Sequence, residues 1–159
     1  MAPRNKHSEI GLAPETPVRA EYTRDVYTWS QEQADLIRGG RFDEIDRDNI
    51  AEEIESVGRT EFSKLESALR VLMLHMLRWD HQPERRGRSW SLTISEQRLR
   101  LQDVLGDNPG LRPRIGEAID RAYARARLRA TRETGLASQT FPEACPYSFD
   151  EITKRQFPF

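Results

Sequence analysis

Between Ile50 and Trp79 nonpolar side chains return every three or four residues, and nothing else in the 159-residue chain restricts its fold as much. Ile50, Ile54, Val57, Leu65, Ala68, Leu72 and Trp79 fall on one stripe, with Glu61 and His75 among them. This is the period of an amphipathic helix. Roughly thirty residues at 1.5 Å each predict a rod about 45 Å long, unless Gly58 divides it in two. Glu52, Glu53 and Glu55 near its start suit the positive end of the helix dipole. Pro83 and the Arg-Arg-Gly-Arg loop end it.

The flanking segments read the same way. A first helix is expected from an N-cap at Thr23 to Arg38, with Tyr22, Val26, Trp29, Gln33 and Ile37 on one face and Gly39-Gly40 as its stop. A third starts near Ser89 or Ser91 and turns Trp90, Ile94, Gln97, Leu101, Val104 and Leu105 inward. After the GDNPG turn, with Pro109 near N1, a fourth presents Ile115, Ile119, Ala122, Ala126 and Ala130 and ends before Gly135. Ser148 and Glu151 form a capping box for a short last helix. No strand pattern and no internal repeat is found. The expected fold is all-α, a single-domain bundle of four to five helices over 21–159, preceded by a disordered tail over 1–20 that holds Pro3, Gly11, Pro14 and Pro17.

Composition narrows the function classes. No apolar leader opens the chain, and the longest apolar run, Val71 to Leu77, is too short to span a bilayer. The single cysteine, Cys145, excludes an internal disulfide and a cysteine-rich zinc site, so a cytoplasmic setting is expected. A net charge of −1 conceals a gradient. Glu21 to Glu66 carries thirteen acidic and six basic residues, net −7, while Arg78 to Arg132 carries thirteen basic and seven acidic, net +6. Such a split suits pairing between halves of the chain, or docking of a charged partner.

Two clusters could carry chemistry. His75 shares its stripe with Glu61, lies near the meridian of Glu53, and stands close in sequence to Trp79, Arg88, Trp90 and Arg98. The plain reading is a hydrogen-bonded core histidine that fixes helix register. The sharper one is a general base or metal ligand oriented by a carboxylate. Positions three and four residues from His75 hold Leu72, Val71, Arg78 and Trp79, none of them a ligand, so neither a metal nor another cofactor is expected. No serine sits in a glycine elbow, and no glycine-rich phosphate loop exists. The second cluster is basic: Arg85 and Arg86 in the loop between Trp79 and Trp90, and the row Arg121, Arg125, Arg129 and Arg132 at one-turn spacing. These arginines lock a helical hairpin through carboxylate and cation–π pairing, or meet nucleic acid, or meet the acidic helix of a partner.

The segments YTRDVYTW, RGGRFDEIDRDNIAEEIESVGR, LESALRVLMLHMLRWDHQPERRGRSWSLTISEQR, LRPRI and TFPEACPYSFDEI, in that order, resemble one bacterial family, domain of unknown function 29. The similarity runs from about Tyr22 to Ile152 and includes Asp25, Trp29, Glu52, Glu53, Glu55, Gly58, His75, Trp79, Gln82, Pro83, Trp90, Thr93, Ile94 and Arg98. The resemblance implies a compact, mainly helical bacterial protein with no established activity and no catalytic residue to carry over. The expected function is therefore that of an interaction protein, with a protein partner or a second copy as its target. An enzyme or ligand site around His75 and a nucleic-acid surface are the alternatives.

Overall fold

The computed structural model describes residues 19–158. The tail expected over 1–20 lies outside them but for its last two residues. The described residues form an all-α helical bundle protein of five helices with no strand: α1 (Val26–Arg38), α2 (Arg47–His81), α3 (Arg88–Asp107), α4 (Ile115–Thr134) and α5 (Phe149–Lys154). Short 3-10 turns at Pro83–Arg85, Pro109–Arg114 and Ser138–Thr140 join them. None of these helices is long and apolar enough to cross a membrane. The chain divides into two units, one ending at Glu53 and the other beginning at Ile54.

In the first unit Asp25, not Thr23, caps α1, its carboxylate accepting the Thr28 amide at 2.9 Å. Thr23 is taken up in the turn before, where Arg24 and Asp25 donate to the Glu21 carbonyl. The buried residues are Trp29, Gln33 and Leu36. Val26 and Ile37, expected on the inner face, are 50% and 42% exposed, because the buried stripe is rotated toward Leu36. Gly40, at φ +69°, makes the stop that a side chain would resist. Asp46 then organises the entry to α2. Its carboxylate accepts Trp29 Nε1 at 3.2 Å and Asn49 Nδ2 at 2.7 Å, while its own amide donates to Gln33 Oε1 at 2.8 Å.

Helix α2 is a single element of 35 residues that passes through Gly58 without a break. Its first third does not continue the inward stripe, since Ile54 and Val57 are 67% and 65% exposed. Only from Phe62 onward does α2 contribute to the apolar core, and there it is buried on more than one side: Leu65, Ala68, Leu69, Leu72, Met73, Met76 and Leu77 are all inaccessible. Each such leucine contributes about 1.5–3 kcal/mol relative to leaving it in water.

The second unit closes around that core. From α3 come Trp90, Ile94, Leu101, Val104 and Leu105, and from α4 Ala118, Ala122, Tyr123, Ala126 and Ala130. Alanines at four of these five positions leave little bulk there, which permits close approach of its neighbours. Pro109 opens the 3-10 turn before α4 and not α4 itself. Gly135, at φ +72°, ends α4 in the left-handed conformation. Ser148 and Glu151 form the expected capping box on α5.

Beyond Gly135 the chain is held by donors from the helices that grip its carbonyls. Tyr123 Oη donates to Pro142 O at 2.7 Å, Arg127 Nε to Phe141 O at 3.0 Å, Arg98 Nε to Ile152 O at 2.8 Å and Ser91 Oγ to Phe157 O at 2.7 Å. Asp80 adds a side-chain anchor, accepting Tyr147 Oη at 2.8 Å and Arg155 Nη1 at 2.9 Å. Cys145 is half-buried, with Sγ 3.6 Å from Met73 Sδ. Burial pushes its thiol up, away from the reactive thiolate form.

Candidate functional site

The residues gathered around His75 in the sequence are engaged with different partners. Glu53 belongs to the first unit, where it accepts Tyr22 Oη at 2.6 Å. Glu61 lies fourteen positions before His75 on α2, about 21 Å along the axis. It pairs with Lys64 at 2.6 Å and accepts Asn108 Nδ2 at 3.1 Å, and the Lys64 bond leads in holding its carboxyl below the ordinary range. The His75 ring is half-buried, with Nδ1 2.8 Å from the Val71 carbonyl one turn back. Burial pushes its pKa down, and Arg78 and Arg129 act in the same direction against the Val71 bond and Glu133. A neutral ring that donates Nδ1–H to its own helix explains why the apolar run accommodates it.

The tryptophan–arginine loop is occupied structurally. Arg78 stacks over Trp90 at 4.4 Å and pairs with Glu133 of α4 at 3.0 Å, so its carboxylate partner comes from α4 and not from the acidic first half. Arg86 donates Nε to the Trp79 carbonyl at 2.8 Å with its guanidinium 5.4 Å from the Trp79 ring. Trp79 meets Phe157 edge-on at 5.4 Å, and Arg98 lies 5.4 Å over that same Phe157 ring while holding the α5 carbonyls. Arg85 and Arg88 are exposed.

The α4 row behaves differently. Arg125, Arg129 and Arg132 line a groove of about 340 Å³ together with Leu128 and with Arg70 of α2. Four guanidinium groups and one leucine form the lining, without a carboxylate among them. Leu128 is 70% exposed at the centre of the basic stripe. The row is partly compensated by its neighbours. Arg121, at its start, has Nε 2.8 Å from Glu66 Oε1 and Nη1 3.3 Å from Glu117, Arg125 stands 4.0 Å from Glu66, and Arg129 pairs with Glu133 at 2.6 Å. Among the described residues Arg70 reaches only Ser67 Oγ, at 3.5 Å, and its Nε is shut from solvent with no acceptor. With Arg125, Arg129 and Arg132 it gives the groove an excess of positive charge.

Three of the four groove arginines share a face of α4 that helical spacing predicts, and Arg70, on α2, is not among the residues that spacing singles out. The available signal was a lone arginine between Leu69 and Val71, inside the most apolar stretch of the chain, where a cation needs a reason to be.

Compared with known proteins, residues 21–158 match a family model described as "Domain of unknown function DUF29". No curated protein and no solved structure matches the chain.

Proposed function

The chain belongs to that family, and from the groove it carries we propose an interaction protein that docks an acidic, apolar-tipped segment of a partner protein. The observation that carries this is Leu128, 70% exposed inside a ring of Arg70, Arg125, Arg129 and Arg132. An exposed leucine surrounded by guanidinium groups fits a helix that presents glutamates or aspartates around one apolar side chain. Nucleic acid suits the groove less. Glu66, Glu117 and Glu133 already neutralise part of the row, leaving too little uncompensated charge for the run of phosphate contacts on which nucleic-acid binding depends, and the chain as a whole carries a net charge of −1. The setting we infer is the bacterial cytoplasm, which agrees with a lone free thiol.

Fluorescence anisotropy with a labelled helical peptide of glutamate and leucine, set against duplex DNA of equal charge, tests the reading. At about 0.15 M salt the peptide binds more tightly than the DNA. Leu128→Asp and Arg132→Glu each weaken the peptide at least about tenfold. Tighter DNA binding, or peptide binding indifferent to both substitutions, overturns it.

A further inference from the structure

A second opening lies nearer the start of the core. Gly58, Phe62 and Glu66 of α2 form one side, and Gly110, Leu111 and Arg114 before α4, with Arg121 on it, form the other. The cleft holds about 720 Å³, within the ~300–1,000 Å³ of small-molecule sites.

Three features distinguish it from an accidental gap. Glu66 is a charged residue only 5% exposed, yet among the described residues its Oε1 accepts no hydrogen bond. Arg121 Nε stands 2.8 Å from that oxygen as an ion pair outside hydrogen-bond geometry. A buried carboxylate oxygen without a donor is costly, and it has capacity for more than one. Phe62, also 5% exposed, makes an aromatic floor beneath Arg114 at 4.0 Å and Arg121 at 5.3 Å. Glu117 takes Nε and Nη2 of Arg114, which leaves Nη1. Finally, a Cβ added to Gly58 or Gly110 meets nothing within 4 Å, and neither glycine has a positive φ. Gly58 weakens the middle of α2 without any turn or packing contact that requires it. What both glycines provide is open wall.

We propose that this cleft binds a small zwitterion of the α-amino acid type. The ammonium group donates to Glu66 Oε1, the carboxylate lies against Arg114 Nη1, and an apolar side chain rests on Leu111. Oε1 is uncovered when Arg121, whose side chain is 49% exposed, swings from Glu66 to its second partner, Glu117. Glu66 thereby exchanges a poorly aligned cation for a well-aligned one. The site uses neither Leu128 nor Arg132, so it stands or falls apart from the groove.

Amide NMR of the full chain, titrated with L-leucine, isopentylamine and 4-methylpentanoate, tests this with probes that differ only in which charges they carry. L-Leucine produces saturable shifts at Gly58 and Gly110, and each single-charge analogue binds at least about tenfold more weakly. Glu66→Gln, equal in shape, weakens L-leucine by at least about tenfold. Gly58→Leu fills the opening and removes binding, while the variant melts no lower than the natural chain. That second variant decides the matter even where Glu66→Gln fails to fold. No saturable shift with L-leucine, equal affinity for either analogue, or binding that survives Gly58→Leu overturns the proposal.

Discussion

The two units hold their shape by different means. Residues 19–53 bury Trp29, Gln33 and Leu36 and rely on side-chain bonds centred on Asp46, Glu44 and Glu53. Residues 54–158 bury a continuous apolar cluster drawn from α2, α3, α4 and the C-terminal segment. Burial adds with area, whereas each polar bond nets only about 0.5–1.5 kcal/mol after exchange with water. The first unit is therefore the one that single polar substitutions undo and that opens at lower free energy.

The most severe challenge to this contrast is Leu72→Ala. Leu72 is inaccessible at the middle of the core, and its truncation costs about 2–5 kcal/mol by chemical denaturation, with the second unit losing cooperativity. A cost below ~1 kcal/mol contradicts a close-packed interior. Next comes Asp80→Asn, which breaks charged hydrogen bonds to Arg155 and Tyr147. Its cost is about 1.5 kcal/mol, the low end for such bonds, because both partners of the ion pair remain partly exposed. Burial pushes the Asp80 carboxyl up, but the Arg155 and Tyr147 bonds outweigh it and hold it below 3.8. Its contribution is therefore complete above the unfolded value near pH 3.9 and is lost as pH falls through the lower folded value, so the natural chain and the Asp80→Asn variant converge in strong acid.

Asp46→Ala sharpens the contrast from the other side. Losing its bonds to Asn49 and Trp29 costs about 1 kcal/mol. Hydrogen exchange accelerates at α1 and the start of α2 while Leu69 to Leu77 stay protected; uniform acceleration denies the first unit its separate character. The smallest effect belongs to His75. Its folded pKa lies below 6.5, chiefly through burial, so the unfolded chain binds more protons as pH falls from about 6.5 toward the folded value. Stability declines over that interval, and His75→Gln flattens the decline in melts recorded between about pH 7 and pH 5. An unchanged slope removes His75 from the acid response.

Periodicity was a good guide to helices and a poor guide to what they face. Helices α2 to α5 were legible because apolar spacing, Pro83, Gly135 and the Ser148–Glu151 box are local signals. The same spacing ran Ile54 and Val57 into a stripe that no neighbour covers, because whether a face is buried depends on where α3 and α4 end, which no residue of α2 encodes. Likewise the α4 arginines could be placed on one side by counting, but their pairing with Glu66 and Glu133 and their grouping with Arg70 are tertiary facts. His75 looked central for its chemistry; a carbonyl one turn back satisfies Nδ1.

Along the route from Ser138 to Phe157, hydroxyls and guanidinium groups seize main-chain oxygens, in addition to the side-chain anchors of Tyr147 and Arg155 on Asp80. Every amino acid carries that oxygen. At its exposed positions, away from Phe141, Tyr147, Ile152, Arg155 and Phe157, mutations can therefore alter what the strap shows to the outside while its path stays anchored, whereas a change at Ser91, Arg98, Tyr123 or Arg127 would loosen it with the strap's own letters left intact.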